Sequence, residues 1–376
     1  MRRTKEDMIV IKNAKIIYAG MVVTDRYLAF ADTIIGFVDT IPEGATVYDA
    51  EGCYVSAGFC DTHTHGYAGY DYTYDGLEAQ EVASRLLPRT GVTSFLPTMM
   101  TEDISLMRKG ATYAREMARA KGGARVIGVN FEGPFINKSK KGAQREDAII
   151  KADASLIADM ADVVRVVTVA PECEGNLDEI RKLTDSGIKV SIGHSNATYR
   201  ESVAALDAGA DRVTHLFNAQ SPLNHREPGI VGAALIDERV YAEVIADTCH
   251  ITGDLLPLLA KVLDDRFVLI TDSLAPTDII EGRTSAFAYD GQVFRLPDGV
   301  IAGSALTMDK GVANLVKVAK MSIVDAVKCA TEIPLRSIGI EDRGTLDIGN
   351  WADIVVFDEN IDVKATFVQG VLEYSK

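Results

Sequence analysis

Between residues 55 and 273, short apolar segments alternate eight times with helix-like segments. Alternation of this kind predicts repeated βα units that share one parallel sheet. The intervening segments include EAQEVASRLLPRTG, LDEIRKLTDSG and YRESVAALDAGA, and the last two end near glycine, as helices often do. Eight units predict a (β/α)8 TIM barrel, whose functional side chains gather at the carboxyl ends of the strands. The apolar segments are VSAGFCDTHTH, TSFLPT, RVIGVNFEGP, RVVTVAPE, KVSIGHS, RVTHLFN, YAEVIADTCH and RFVLITDS.

The two ends of the chain follow a different pattern. Residues 8–55 contain short runs in which β-branched residues alternate with polar ones, and glycine, proline and aspartate interrupt them. The segments ADIVVFDEN and VKATFVQGVLEY repeat this pattern near the C-terminus. We therefore expect a small β-sandwich domain from residues 1–55 and 345–376, and a catalytic barrel over residues 56–344. A β-hairpin is predicted around residues 277–303, inserted after the eighth strand.

Composition narrows the class of protein. The formal net charge of −15 argues against nucleic-acid binding, because phosphate backbones are bound by clustered lysine and arginine. A small anion remains compatible with this charge, since a few local cations suffice to bind it. We find no apolar run near the roughly 18 residues of a spanning helix, which argues against a membrane protein. The five cysteines form no CxxC pair, as is typical of a reducing compartment, so we expect a cytoplasmic location and buried, inert thiols.

The histidines are not scattered along the chain. All six fall at the carboxyl end of a predicted strand or one loop beyond it. A chain that used histidine as a general core or surface residue would not show this placement. Two acidic residues share it, since Glu132 ends the third predicted strand and Asp272 ends the eighth. The histidines are His63 and His65 after strand one, His194 after strand five, His215 and His225 after strand six, and His250 after strand seven.

These residue types indicate a metal site. Neutral imidazole and carboxylate are ligands of Zn²⁺, Fe²⁺ and similar ions, and a catalytic site leaves one position open for water. Residues i and i+2 of a strand point to the same side, so His63 and His65 can both face the barrel mouth. Asp272 would lie opposite, close enough to accept a proton from the attacking water. Two alternatives stay open: Asp272 as the cap of a turn, and Glu132 as a loop residue before Gly133.

Nine motifs, taken together, resemble a known family. In chain order they are GFCDTHTHG, NFEGPFIN, KKGA, IGHSNAT, THLFNA, HREPGIVGAAL, IADTCHI, TDSLAPT and AGSALTM. The chain resembles the amidohydrolase superfamily and, within it, the N-acetylglucosamine-6-phosphate deacetylases, and the similarity runs nearly end to end. The final GTLDIGNWADIVVFD resembles the segment that returns the chain to the β domain in this family.

The resemblance implies a metal-dependent hydrolase with one or two divalent ions per subunit, zinc or iron first, with manganese and cobalt as alternatives. Glu132, His194 and His215 would hold the principal ion. His63 and His65 would hold a second ion, and Asp272 would act first as general base and then as general acid.

The resemblance also implies a set of substrate-binding residues. Arg226 would reach the phosphate bound to the neighbouring subunit, which implies a homodimer. The sequence departs from the family after KKG, because Gln144 stands where the family often has histidine, and this leaves the choice between glucosamine and galactosamine open. The implied substrate-binding residues are Ala143, Gln144, Asn218, Ala219, Arg226, His250, Leu306, Thr307 and Met308.

The implied reaction converts N-acetylglucosamine 6-phosphate to glucosamine 6-phosphate and acetate, in amino-sugar catabolism and cell-wall sugar recycling. One alternative is the deacetylation of N-acetylgalactosamine 6-phosphate, and another is the hydrolysis of a cyclic or peptide amide. A different class of alternative is a non-catalytic scaffold that retains the barrel. The complete ligand set argues against a scaffold, since a protein without catalysis is expected to lose ligands.

Overall fold

Seven short strands come first in the computed structural model, which describes residues 8–274, 288–291 and 293–376. Their bounds follow the β segments predicted from the sequence, with turns at the glycine and aspartate positions between them. The strands are β1 (Ile9–Lys12), β2 (Lys15–Tyr18), β3 (Met21–Val23), β4 (Tyr27–Phe30), β5 (Ile34–Val38), β6 (Thr46–Asp49) and β7 (Tyr54–Ala57).

Eight parallel strands then form a nearly closed barrel, which confirms the predicted fold class. Their order is β8-β11-β13-β14-β15-β16-β17-β18, and the N–H of Asp272 donates to the carbonyl of His63 (2.8 Å) where the two ends meet. The elements are β8 (Phe59–Thr64), β9 (Gly66–Tyr67), β10 (Tyr70–Asp71), α1 (Gly76–Leu86), β11 (Val92–Met99), α2 (Ile104–Met117), β12 (Arg125–Val126), β13 (Val129–Phe135), β14 (Val164–Val169), α3 (Asn176–Asp185), β15 (Lys189–Ile192), α4 (Tyr199–Asp207), β16 (Arg212–Val213), α5 (Gly229–Ile236), β17 (Tyr241–Ile245), α6 (Leu256–Leu263) and β18 (Phe267–Ile270).

The chain continues through a small sheet, three helices and three final strands. These are β19 (Ala288–Tyr289), β20 (Val293–Arg295), β21 (Ile301–Ser304), α7 (Met308–Lys317), α8 (Ile323–Lys328), α9 (Glu332–Ser337), β22 (Ile354–Phe357), β23 (Val363–Val368) and β24 (Val371–Ser375). The predicted hairpin at 277–303 overlaps the antiparallel sheet β19-β20-β21, while residues 275–287 and 292 lie outside the described residues. Short 3₁₀ helices cover Leu87–Thr90, Lys138–Lys140, Glu146–Ala148, Ala154–Leu156, Ala158–Met160 and Asp264–Arg266.

The two ends of the chain meet in one β-sandwich. A six-stranded sheet has the order β24-β23-β22-β7-β2-β3, so it joins N-terminal and C-terminal strands, and a four-stranded sheet has the order β5-β4-β1-β6. The sheets share an apolar core in which the rings of Phe30 and Phe367 meet edge to face, 5.2 Å apart. The predicted sandwich is confirmed. The boundaries at residues 55/56 and 344/345 stay predictions, and β7 continues two residues past the first of them.

The first predicted strand is in fact two strands in two sheets. The segment VSAGFCDTHTH was predicted as one strand, but β7 belongs to the sandwich and β8 to the barrel, with Gly58 between them. A Cβ atom at Gly58 would come within 2.1 Å of the Thr93 side chain. Only glycine therefore lets β8 and β11 approach each other at this corner.

Helices α3 and α4 end near glycine, as the sequence indicated. Helix α4 begins with a reciprocal capping box between Thr198 and Glu201, and Gly209 follows its last turn at φ +110°. Gly187 follows α3 in the same way, at φ +92°. Within the described ranges, we find no helix long and apolar enough to span a bilayer.

Candidate metal centre and active site

Six side chains converge at the carboxyl ends of the barrel strands. They form two groups of three, in each of which the candidate ligand atoms lie within 4.8 Å of one another. Each of the six side chains is buried. The first group is His63, His65 and Asp272, from the strands at the barrel closure, and the second is Glu132, His194 and His215, from β13 and the ends of β15 and β16.

Glu132 connects the two groups. Its Oε1 lies 3.0 Å from Nε2 of His194 and 2.8 Å from Nε2 of His215. Its Oε2 lies 3.1 Å from Nε2 of His65. On the other side, Oδ1 of Asp272 lies 3.2 Å from Nε2 of His65 and 3.5 Å from Nε2 of His63. One carboxylate therefore touches both histidine pairs.

The hydrogen bonds of the four Nδ1 atoms orient the imidazole rings so that each Nε2 faces the centre of the cluster. Each Nδ1 lies against an oxygen that can only accept, so each Nδ1 carries a proton and each Nε2 is the nitrogen left to bind a cation or a second proton. The distances are 2.9 Å from His63 to Glu243 Oε2, 3.2 Å from His65 to the Thr98 carbonyl, 2.8 Å from His194 to the Lys140 carbonyl and 3.1 Å from His215 to the Asn218 carbonyl.

Such a cluster contains acceptors facing acceptors, which a cation would satisfy. Nε2 of His63 lies 3.3 Å from Nε2 of His65, and the corresponding atoms of His194 and His215 lie 3.1 Å apart. Without a cation, protons must take its place. Burial lowers the pKa of His65, yet the Glu132 and Asp272 carboxylates raise it well above the ordinary value. Nitrogen and carboxylate oxygen donors of this kind fit zinc or iron.

The backbone bends sharply at three of these residues. His194, His215 and Asp272 have φ values of 45°, 25° and 49°, a region that non-glycine residues rarely occupy. At the end of β16 this conformation stops the strand at Val213, so the predicted strand RVTHLFN is much shorter than expected. Strained backbone of this kind is typical of functional sites, where the surrounding structure compensates its cost.

An open cavity of about 390 Å³ is lined by five of the six side chains, all except His63. Five of the predicted substrate-binding residues line it: Ala143, Gln144, Asn218, Ala219 and His250. Asp247 holds the ring of His250, because its Oδ2 accepts from Nδ1 at 2.6 Å while its Oδ1 accepts two backbone N–H groups of the same turn. His250 therefore presents Nε2 as the atom available for a ligand.

Gln144 makes contacts that the sequence did not indicate. Its side-chain amide donates to Glu132 Oε2, and its carbonyl oxygen accepts from the N–H of Thr101 at 2.6 Å. Both ends of the amide are thus engaged within the protein. Gln144 lines the cavity and at the same time fixes the carboxylate that connects the two groups.

Four predicted substrate-binding residues lie away from this cavity. Arg226 is exposed on the loop after β16, and its side chain does not line this cavity. Leu306, Thr307 and Met308 are buried where β21 passes into α7, and they line a separate space of about 10 Å³ beside Asp61 and Thr64. The expected lining role of these three stays a prediction.

The sequence did not indicate three residues that support predicted site residues, either directly or through a neighbour. Glu243 accepts from His63, Arg212 pairs with Glu243 at 2.8 Å, and Asp247 holds His250. One signal was available for Glu243, since a charged residue interrupts the apolar strand YAEVI. Its partner could not be identified from the sequence, because barrel strands bring together residues that are distant along the chain.

The model of the amidohydrolase family matches residues 54–372. The chain belongs to this family. Among its curated relatives, the N-acetylgalactosamine-6-phosphate deacetylase of Escherichia coli O157:H7 is 36% identical, over 93% of this chain and 94% of that protein. The N-acetylglucosamine-6-phosphate deacetylase of Bacillus subtilis (strain 168) is 30% identical, over 98% of each chain. The family predicted from the motifs is confirmed.

A solved structure agrees with this assignment. The N-acetylglucosamine-6-phosphate deacetylase from Pasteurella multocida superposes with a TM-score of 0.91, is 29% identical and covers 98% of this chain and 100% of its own. The similarity therefore includes the sandwich as well as the barrel.

Proposed function

We propose that this amidohydrolase removes the N-acetyl group of N-acetylglucosamine 6-phosphate, giving glucosamine 6-phosphate and acetate. The observation that carries the proposal is the pair of ligand groups connected by Glu132, with the Asp272 carboxylate beside them at the end of an open cavity. Curated relatives with this activity match along most of the chain.

In this proposal Glu132, His194 and His215 hold the principal ion, and His63 and His65 hold a second one. Bound ions would polarise the acetamide carbonyl and lower the pKa of a bound water from about 15.7 towards about 7. The metals that the donor set fits best are zinc and iron, with manganese and cobalt as alternatives.

Asp272 moves the proton in the proposed reaction. In the metal-free protein, burial raises the pKa of this carboxyl, but hydrogen bonding to His65 and the charge of His63 lower it below the ordinary value. Bound cations would replace that positive charge and likewise favour the ionised carboxylate, so Asp272 would be ready to accept. Asp272 takes a proton from the attacking water as the C–O bond forms. It then donates that proton to the amide nitrogen as the C–N bond breaks, so acetate and a free amine leave.

Phosphate recognition favours more positive charge than the described lining of one cavity supplies. Among the described residues that line the cavity, Lys140 is the sole lysine or arginine, and its ammonium donates to the carbonyl of Gln220 at 3.0 Å. Arg226 lies exposed on its loop and carries a guanidinium suited to phosphate oxygens. We therefore propose a homodimer in which Arg226 of each subunit reaches the phosphate bound to the other.

A second candidate substrate is N-acetylgalactosamine 6-phosphate. The relative from Escherichia coli O157:H7, at 36% identity, is named for that epimer. Gln144 adds a second reason, because it lines the cavity at the position where the resemblance to the deacetylase family implies a histidine. The chemistry at the acetamide is the same for both sugars, so only the contacts to the ring hydroxyls would differ.

The location we propose is the cytoplasm. None of the five cysteines forms a disulfide, which supports a reducing compartment. Two of them, Cys60 and Cys329, are buried, and burial raises the pKa of the Cys60 thiol to about 12. Cys53, Cys173 and Cys249 are only partly buried, so the expectation of five buried cysteines was too broad.

The test measures acetate release from N-acetylglucosamine 6-phosphate, its galactosamine epimer and unphosphorylated N-acetylglucosamine, with the metal content of the same protein recorded. We expect turnover of the first substrate and a large loss without the phosphate. Turnover of the epimer alone would transfer the assignment to the second candidate. No turnover of any of the three by metal-loaded protein would refute both.

A further inference from the structure

A charged pair lies fully buried beneath the candidate metal centre. Glu243 in β17 and Arg212 in β16 are both 0% exposed, and Oε1 of Glu243 accepts from the Arg212 guanidinium at 2.8 Å. Arg212 is itself anchored by hydrogen bonds to Ser337 and to Thr62. Removing two charges from water is expensive, and hydrophobic residues of similar size often serve stability as well or better. Stability alone therefore does not explain a buried ion pair at this position.

The Glu243 carboxylate is surrounded by hydrogen-bond donors. Oε1 accepts from Arg212, while Oε2 accepts from Nδ1 of His63 at 2.9 Å and from the N–H of His215 at 3.2 Å. One carboxylate oxygen thus links a residue of the first ligand group to the backbone of the second. Because donors approach both carboxylate oxygens, only a side chain with an acceptor at each position can satisfy all three donors.

His63 differs in this respect from the other three histidines of the two groups. The Nδ1 atoms of His65, His194 and His215 all lie against backbone carbonyls, whereas that of His63 lies against a carboxylate. A carboxylate fixes the tautomer and ring orientation of a metal-binding histidine and makes the opposite nitrogen a stronger donor.

We propose that Glu243, held by Arg212, is a positioning residue that directs Nε2 of His63 towards the second metal position. The inference rests on the metal centre proposed above and assigns Glu243 no contact with substrate. It explains why a carboxylate lies inside an apolar strand. Binding of the second ion would then depend on Glu243, which lies outside both ligand groups.

The variant that tests this is Glu243→Gln, which preserves volume but turns one acceptor oxygen into a donor. Its NH₂ must face either Arg212 or the two donors on the other side, so one contact becomes repulsive. If the NH₂ faces His63, the ring must put its proton on Nε2, the atom that would bind metal. Asp353→Asn is the matched control, because Asp353 is also a buried carboxylate paired with an arginine, Arg343, but it lies outside the ligand groups.

Each protein is stripped of metal, reloaded with zinc, and analysed for ions per chain and for affinity by competition with a chelator. We expect two ions in the wild type and in Asp353→Asn. In Glu243→Gln we expect one of the two sites to weaken by about 10- to 100-fold, the range typical of such supporting residues. Nitrogen NMR of histidine-labelled zinc-loaded protein should show one imidazole losing its Nδ1–H signature in this variant alone.

Two results would overturn the inference: two ions bound by Glu243→Gln with wild-type affinity, or a single ion in the wild type. If Glu243→Gln does not fold, the double variant Glu243→Met, Arg212→Met leaves no buried charge and still removes the acceptor, so the same count is decisive. Because ions are counted without substrate, a protein that fails to deacetylate can still confirm the role of Glu243.

Discussion

The two side-chain hydrogen bonds of Gln144 should contribute measurably to the free energy of unfolding. Gln144→Met keeps the length of the side chain but removes both hydrogen bonds. The lost bond to the Glu132 carboxylate corresponds to about 1.5–3 kcal/mol, and the unpartnered N–H of Thr101 costs about 1–3 kcal/mol more. Burial of the apolar methionine offsets part of this. We expect the free energy of unfolding of the metal-free protein to fall by about 2–4 kcal/mol.

The matched control is Gln80→Met, the same substitution at another buried glutamine. Gln80 donates to the carbonyl of Gly110 at 3.3 Å, a longer bond between uncharged groups. This variant should lie within about 1.5 kcal/mol of the wild type. Urea unfolding followed by far-ultraviolet circular dichroism, with a chelator present, compares the three proteins. If Gln144→Met loses no more stability than Gln80→Met, the two contacts assigned to Gln144 contribute nothing and the prediction is wrong.

Three further predictions concern acidic residues. Asp272→Asn should retain metal, measured by elemental analysis, while acetate release falls by about 10²- to 10⁴-fold; wild-type turnover would exclude Asp272 as the base. Asp247→Asn should raise KM more than it lowers kcat, because it loosens His250 without touching the ligand groups; steady-state kinetics showing an unchanged KM would contradict this. Burial raises the pKa of Asp353 despite Arg343, so the ionised form is disfavoured in the folded state. As pH rises from about 4 through that raised pKa, the wild type should lose up to about 1.4 kcal/mol of stability for each pH unit crossed, while metal-free Asp353→Asn should not. Parallel urea titrations across this range test it, and a constant difference between the two proteins would refute it.

The positions that could be predicted from the sequence are those of polar residues near the carboxyl ends of successive barrel strands. Glu132 lies within β13, and His194 and His215 lie two residues beyond β15 and β16. The strands of a barrel bring their carboxyl ends to one edge, and the three side chains meet there. The resemblance to the family supplied the remaining roles. Gln144 illustrates what neither source could provide, because its orientation depends on Thr101, which lies in a different loop and carries no sequence signal.

The discrepancies in the fold have similarly local causes. Gly58 divides one apolar run between two sheets because Thr93 leaves no room for a side chain, and a periodicity of two along the strand does not reveal that contact. The early end of β16 reflects the positive φ of His215, a conformation that only a small fraction of non-glycine residues adopt. In both cases, long-range packing overrides the local pattern.

The position of β22 between β7 and β23 has a consequence for the order in which the protein matures. Val55 pairs with Val356, so β7 leaves the ribosome long before this neighbour has been translated. Until β22 is made, β7 can pair with β2 alone, although it leads through Gly58 into β8 and on to His63 and His65. Domains generally fold as units during synthesis, with the N-terminal part first. Here β7 is paired along both edges only after β22 emerges. A chain stalled before Ile354 would therefore carry every proposed metal ligand and still lack the β22 side of the sheet that precedes His63 and His65.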